Sequence, residues 1–342
     1  MAKTVVLTGI TGFIAKHIAL HLLNDGYAVR GTMRSTTRAD EVRDALRPHL
    51  AEKVDLDKQL TFVSLDLMKD DGWVEAMARA DVLLHTASPF PIAQPKDENE
   101  LIKPAVDGTL RALRAANAAG IHRVVLTSSM AAVMNTPLKP GKTAYDHTDW
   151  TDTALDYVSP YEKSKTLAEK AAWDFVENES PDMQLTTINP GLVLGPALDE
   201  HFGSSLEIIE RVLKASDPAV PDISIPGVDV RDVATMHVSA ISSDASIGKR
   251  CLAVADELSF PQVAQILADQ YPQRKIATRI APKWLLAILK VFDPTIRAIY
   301  PILGMKRAAD TVVSRETLGI NFMPVGDSVV AAAESVLKFK RI

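Results

Sequence analysis

The sequence predicts an α/β fold: a doubly wound parallel sheet with helices on both faces, followed by a smaller, mainly helical C-terminal substrate lobe. Three observations carry this. Short β-branched runs alternate with segments whose apolar residues recur three and four apart; the strand runs are almost continuously apolar, as in a sheet covered on both sides; and the alternation stops after Pro190.

Six runs read as strands: Thr4 to Thr8, Tyr27 to Met33, Leu60 to Asp66, Asp81 to Ala87, Arg123 to Ser129 and Gln184 to Pro190. Between them, spacings such as Ile14, Ile18, Leu22 and Leu110, Leu113, Ala116 mark amphipathic helices. Beyond Pro190 the chain is punctuated by Gly and Pro ("NPGLVLGPALDEHFGSS"). A helix is expected from about Gly203, another over Val230 to Ser242, and then a mostly helical tail. The expected partition is a dinucleotide domain over 1–190 plus about 228–250, and a substrate lobe over 191–227 and 251–342. With no repeat or flexible linker, the two are expected to share one rigid interface.

Composition narrows the partners. A chain of 342 residues, 47% apolar and 24% charged, can bury a large core, and a net charge of −5 with both signs interspersed offers no overall attraction to nucleic acid or to an anionic membrane. The single cysteine, Cys251, forms no internal disulfide and has no neighbouring Cys with which to hold a metal, so no metal is expected; it reads as a buried strand residue. The N-terminus begins directly with a strand pattern, and a cytoplasmic location is expected. The most membrane-like stretch, from Trp284 to Leu303, is broken by Lys290, Asp293, Pro294 and Arg297 and reads as an amphipathic helix capping a pocket. The oligomeric state is left between monomer and homodimer.

The run "VVLTGITGFIAKHIALHLL" places Gly9, Gly12 and Ala15 three apart between a strand and a helix. A glycine turn there aims free backbone N–H groups and the positive end of a helix dipole at the strand's C-terminal edge, where a pyrophosphate can sit. Gly9 permits the turn, Gly12 the close approach, and Ala15 the packing of helix on sheet, which makes the fold Rossmann-type. The end of the second strand selects the dinucleotide. It reads "RGTMRSTTR", with no acid between Tyr27 and Ala39 to take the ribose hydroxyls. Arg34, just past the strand, is placed to meet a 2′-phosphate, with Arg38 as a possible assistant, so NADPH is expected rather than NADH.

The chemistry is expected further on. "SPYEKSK" sets Tyr161 and Lys165 four apart, on one face of a helix starting near Ser159 and Pro160, while "LTSSMA" puts Ser129 at the C-terminal edge of the fifth strand. A tyrosine titrates near pH 10 and needs a neighbouring cation to exchange a proton near neutrality. Lys165 supplies one. A hydroxyl such as Ser129 can then hold a substrate oxygen while a hydride is exchanged at the carbon.

With these motifs in this order, the chain resembles the extended short-chain dehydrogenases/reductases of the NAD-dependent epimerase/dehydratase superfamily. The resemblance is closest to the dihydroflavonol-reductase and NADPH-dependent aldehyde or ketone reductase branch, over about Lys3 to Leu337. It implies that Ser129 polarises the carbonyl, Tyr161 donates the proton, and Lys165 binds the nicotinamide ribose and lowers the tyrosine pKa. It further implies a phosphate loop of Thr8, Gly9, Thr11, Gly12, Phe13 and Ile14, an adenine site flanked by Asp66 and Leu67, and a path of Thr86, Ala87 and Ser88 along ribose and phosphates. Pro190, Gly191 and Val193 would hold the carboxamide.

Departures from relatives narrow the substrate. The run "VSPYEKSK" lacks the Asn-Trp-Tyr-Cys-Tyr pattern of cinnamoyl-CoA reductases, Met134 stands where flavonoid reductases place Asn or Gln, and no Asp-Glu pair follows Ser129 as nucleotide-sugar dehydratases require. Pro104 and Ala105 replace an Asn that relays protons in many relatives. An apolar pocket is expected from Phe90, Pro91, Met130, Met134, Tyr157, Leu192 and Phe202. The expected activity is reversible, NADPH-dependent reduction of an aldehyde or ketone to an alcohol. The alternatives are a sterol or 3β-hydroxysteroid dehydrogenase, a nucleotide-sugar epimerase and a non-catalytic NADPH sensor.

Overall fold

In the computed structural model, which describes residues 2–88, 97–340 and 342, the six apolar runs form strands within two residues of the expected limits. These are β1 (Thr4–Thr8), β2 (Ala28–Met33), β3 (Leu60–Ser64), β4 (Val82–His85), β5 (Arg123–Thr127) and β6 (Gln184–Pro190). The helices between them are α1 (Phe13–Asn24), α2 (Ala39–Leu46), α3 (Leu56–Gln59), α4 (Trp73–Met77), α5 (Asn99–Ala118) and α6 (Pro160–Asn178). Beyond Pro190 come β7 (Leu192–Leu194), α7 (Ser204–Leu213), β8 (Ser224–Asp229), α8 (Val230–Ser242), β9 (Arg250–Ala253), β10 (Asp256–Ser259), α9 (Phe260–Gln270), α10 (Lys283–Leu289), α11 (Pro294–Ile299), α12 (Val312–Leu318) and α13 (Val325–Lys340).

The main sheet is wholly parallel in the order β3-β2-β1-β4-β5-β6-β9. Alternate residues of one strand feed opposite cores. Val5 and Leu7 pack with Ile18 and Leu22 of α1 and Val233 of α8, whereas Val6 packs with Leu113 of α5 and Phe175 of α6. Both faces are therefore buried, which is why the strand sequences show no polar alternation. The strand order reverses between β1 and β4, and such a switch point opens a crevice at the C-terminal strand ends.

The C-terminal part departs from the expected partition. A second sheet, β10-β8-β7, pairs β7 parallel and β10 antiparallel to β8. Its strands escape a sequence reading because β7 has only three residues, β8 carries Pro226 and Gly227, and β10 begins with Asp256 and Glu257. The main sheet also continues past the boundary drawn at 250: Cys251 lies fully buried in β9 against Ile188, and α12 packs on β9 and α8, with Leu318 and Ile320 in the main core. The stretch from Trp284 is two short helices, α10 and α11, separated before Pro294. Among the described residues, no helix is long and apolar enough to cross a membrane.

Candidate active site

The glycine turn forms at the edge of β1. Gly9 has φ +69°, and a Cβ there would stand 3.0 Å from Ala87, so both the backbone conformation and the β4 edge demand glycine. Gly12 caps α1 with no side-chain bond, and the amides of the first helical turn, Phe13 to Ala15, have no intrahelical acceptor. Thr8, expected in the phosphate loop, is fully buried and turned elsewhere. Its hydroxyl accepts the amides of Thr86 and Ala87 at 3.0 Å each and meets His85 Nδ1 at 2.9 Å. Thr8 thus shapes the β4 edge and does not line the crevice.

A cavity of ≈ 600 Å³ runs from Gly9, Thr11 and Gly12 past Thr86, Ala87 and Ser88 to Arg34, Asp66 and Leu67. Arg34 is exposed and makes no ion pair among the described residues, whereas Arg38 pairs with Glu41 at 2.7 Å on the surface. Asp66 accepts the amide of Met68 at 3.0 Å, so it shapes its own turn as well as the cavity wall. Glu100, Leu101 and Pro104 of α5 complete this wall. No local pattern singles out Glu100 or Leu101, because α5 is read from its core stripe, and Pro104 stands out in the sequence only as the replacement of a proton-relaying Asn.

A second cavity of ≈ 510 Å³ continues from the glycine turn, with Phe13 and Ile14, to Ser129, Tyr161, Lys165, Pro190, Gly191 and Val193. A Cβ on Gly191 would lie 2.1 Å from Pro226 O, so this glycine is required first of all by the approach of β8. A third cavity of ≈ 680 Å³ opens on the other side of the same Ser129 and Tyr161 and is walled by Met130, Met134, Leu192, Ile208 and Ile225. Phe202 lines the second cavity instead, Tyr157 lines none of the three, and Phe90 and Pro91 lie outside the described residues. Ile208 had a signal: α7 buries Leu206, Ile209 and Leu213, and Ile208 is an apolar residue off that stripe. Ile225 had none, since β8 itself was not legible.

Tyr161 is set by the start of α6. Ser159 and Glu162 form a capping box, Pro160 occupies the first turn, and Asn135 holds the other oxygen of Glu162 at 2.8 Å. Ser129 caps the turn Met130–Ala132, accepting the amide of Ala131 at 3.1 Å, and its hydroxyl bonds that of Tyr161. Lys165 Nζ stands 5.9 Å from the centroid of the Tyr161 ring. Burial dominates both titrations. It pushes the tyrosine above its ordinary value, against the Ser129 hydrogen bond, and pulls Lys165 down to about 8, against the pull of Glu169. At Tyr161 burial outweighs the neighbouring hydroxyl, and Lys165 is the group brought towards neutrality.

A polar network stands behind the cluster. Glu169, fully buried, accepts Arg250 at 2.6 Å, Asn189 at 2.7 Å and Ser128 at 2.5 Å, and Asn189 in turn reaches the backbone oxygen of Ser129 at 3.3 Å. The guanidinium of Arg250 stacks 3.7 Å over Trp150. Lys16, also buried, ties α1 to the loop before α7 through Asp199 and the carbonyl of His201. No short motif announces either network, because the partners lie far apart in sequence.

A glycine-turn crevice leading into a Ser129–Tyr161–Lys165 cluster on a parallel sheet defines a Rossmann-fold dehydrogenase or reductase. The chain belongs to the NAD dependent epimerase/dehydratase family, whose sequence profile matches residues 5–252. It is 34% identical to the ketoreductase azaE of Aspergillus niger over 99% of this chain and 98% of that protein. In structure it is similar to the yeast methylglyoxal/isovaleraldehyde reductase Gre2 complexed with NADPH, with TM-score 0.80, 28% identity and 99% of each chain covered. The NADPH complex of Gre2 from Candida albicans superposes with TM-score 0.79 at 30% identity, covering 98% of this chain and 99% of that one.

Proposed function

We propose that this protein is an NADPH-dependent oxidoreductase that reversibly reduces an aldehyde or ketone to an alcohol, with Tyr161 as proton donor. The observation that carries the reading is that Ser129 and Tyr161 line both the cavity continuing from the dinucleotide crevice and the apolar cavity beyond it. A carbonyl placed between the two cavities meets both hydroxyls. The crevice suits the cofactor: Gly9 and Gly12 leave the turn without side chains, and Arg34, with no ion-pair partner among the described residues, lines the crevice where a 2′-phosphate would lie. NADPH, when bound, supplies the hydride. Ser129 donates a hydrogen bond to the substrate oxygen, Tyr161 hands it the proton as negative charge develops, and Lys165, beside the ring, favours that transfer and holds a ribose hydroxyl. Met130, Met134, Leu192, Ile208 and Ile225 suit a medium-sized apolar carbonyl compound. A cytoplasmic location and a monomeric or homodimeric state go with this reading.

The test is a panel of aldehydes, diketones, flavonoids and steroids assayed by loss of reduced-nicotinamide absorbance with NADPH and NADH in parallel. Tyr161→Phe keeps the ring and its packing, so it should still bind NADPH while turnover on the best substrate falls about 10²–10⁴-fold. Near-normal turnover in that variant would place the acid elsewhere.

A further inference from the structure

One segment has a charge unlike the rest of the molecule. Between residues 271 and 309 there are eight basic residues against the single acid Asp293, in a chain whose net charge is −5. Lys275, Arg279, Lys283 and Lys306 are exposed and, among the described residues, none pairs with a carboxylate. Lys290 stands over the Tyr300 ring, Arg297 binds the carbonyls of Lys290 and Val291, and the one acid acts on Arg211.

Among the described residues, the same segment holds most of the large exposed apolar side chains. Ile288 follows Trp284 (68% exposed) by four residues, and Val291 and Phe292 (80% exposed) follow Ile288 by three and four, through α10 and its end, flanked by Leu285, Leu289, Ile280 and Met305. The core side of these helices is satisfied: Leu286 and Leu303 pack with Ile223, Ile225 and Ile299. The outward stripe is thus surplus to the fold. An exposed apolar patch of this extent marks an interaction surface.

We infer that α10 and α11 dock this protein on an anionic bilayer surface, with Trp284, Ile288, Val291 and Phe292 in the headgroup–acyl boundary and the unpaired cations at the level of the lipid phosphates. Trp and Phe on one side with Lys and Arg around them is the composition that binds in the plane of such an interface. A second copy of the chain is the poorer occupant, because a two-fold contact through this patch sets its cations against one another. The docking is independent of the proposed catalysis, yet it has a consequence for it. Ile225 belongs both to the packing beneath α10 and to the wall of the substrate-side cavity, so a docked molecule holds that cavity close to the lipid.

The full chain is to be sedimented with vesicles of equimolar phosphatidylcholine and phosphatidylserine, and with vesicles of phosphatidylcholine alone, at low and high salt. Binding is expected to the anionic vesicles only and to be lost at high salt. Lys283→Gln with Lys306→Gln should weaken it roughly 25-fold, about fivefold for each charge. Trp284→Ser with Phe292→Ser should weaken it at least about tenfold. Both double variants should keep wild-type turnover on a water-soluble carbonyl compound, which confirms folding. Absence of binding to anionic vesicles, binding that ignores lipid charge and salt, or equal affinity for soluble polyglutamate would overturn the proposal. So would a dimer in sedimentation equilibrium that the Trp284→Ser/Phe292→Ser variant dissociates.

Discussion

Lys165 is the residue whose burial costs the fold most visibly in return for chemistry. Its folded pKa is about 8 against an ordinary 10.5, so below pH 8 the folded protein carries a charge that burial disfavours. Between 8 and 10.5 the unfolded chain binds the proton and the folded protein does not, and stability rises across that window. Lys165→Met should therefore melt a few degrees higher than the parent at pH 7, with the gain shrinking towards pH 10, while NADPH affinity and turnover are both lost. Calorimetry across pH checks this, and a lower melting temperature at pH 7 would count against it. Arg34 offers a cleaner separation of binding from fold. It is exposed and unpaired, so Arg34→Ala should leave stability unchanged and raise KM for NADPH by the roughly 10- to 100-fold of a charge-assisted hydrogen bond, with little change for NADH. Equal effects on the two cofactors would remove Arg34 from the 2′-phosphate site.

At the scale of elements, the cluster is accurate because α6, β5, β6 and β9 are tied behind it. Glu169 of α6 and Arg250 of β9 form a buried ion pair with side-chain exposures of 0% and 7%, and Asn189 of β6 passes that anchorage to the backbone of Ser129. Removing one partner strands the other charge in the core. Arg250→Met should thus cost about 3–5 kcal/mol in urea unfolding, and the pairing with Glu169→Gln should recover part of it. Whatever remains folded should show a lower kcat more than a higher KM, since the damage falls on the alignment of Ser129 and not on the cavity walls. A variant of parental stability would mean that Glu169 is adequately satisfied by Ser128, Thr187 and Asn189 alone.

For the whole molecule, three buried histidines set the acid limit. Burial lowers His17 and His237 to about 4 and His85 to about 3. Each is neutral in a matching hydrogen bond: His17 donates to the carbonyl of Pro196, His237 to that of Val233, and His85 Nδ1 accepts from Thr8, whose own acceptor capacity is taken by two amides. The stability they contribute is complete above the unfolded value of 6.5 and is lost as pH falls towards 4, at about 1.4 kcal/mol for each pKa unit of difference. Unfolding near pH 5 should accordingly take up close to three protons, measured as the slope of stability against pH. His237→Gln should remove about one of them. A flat profile between pH 6.5 and 4.5 would show that the histidines are protonated in the folded state.

Six of the seven main-sheet strands, the glycine turn, the Ser129, Tyr161 and Lys165 motifs and the absence of an acid just after β2 are legible in the sequence, because each is written locally. Continuous apolar runs in the strands and three-to-four-residue periodicity in the helices reflect burial on each element's own faces. A turn that needs glycine, or a helix that puts Tyr161 and Lys165 on one face, is likewise specified within a few residues. What depends on partners distant in the chain emerges only on folding. In the small sheet β7 has only three residues and β8 carries Pro226 and Gly227 in its middle, and Gly191 is imposed by the approach of Pro226. Thr8 faces β4 instead of the crevice because His85 and two amides claim its hydroxyl. The directions in which Tyr161 and Lys165 are shifted belong here too: the motif states which groups are neighbours, but desolvation is set by everything else folded around them.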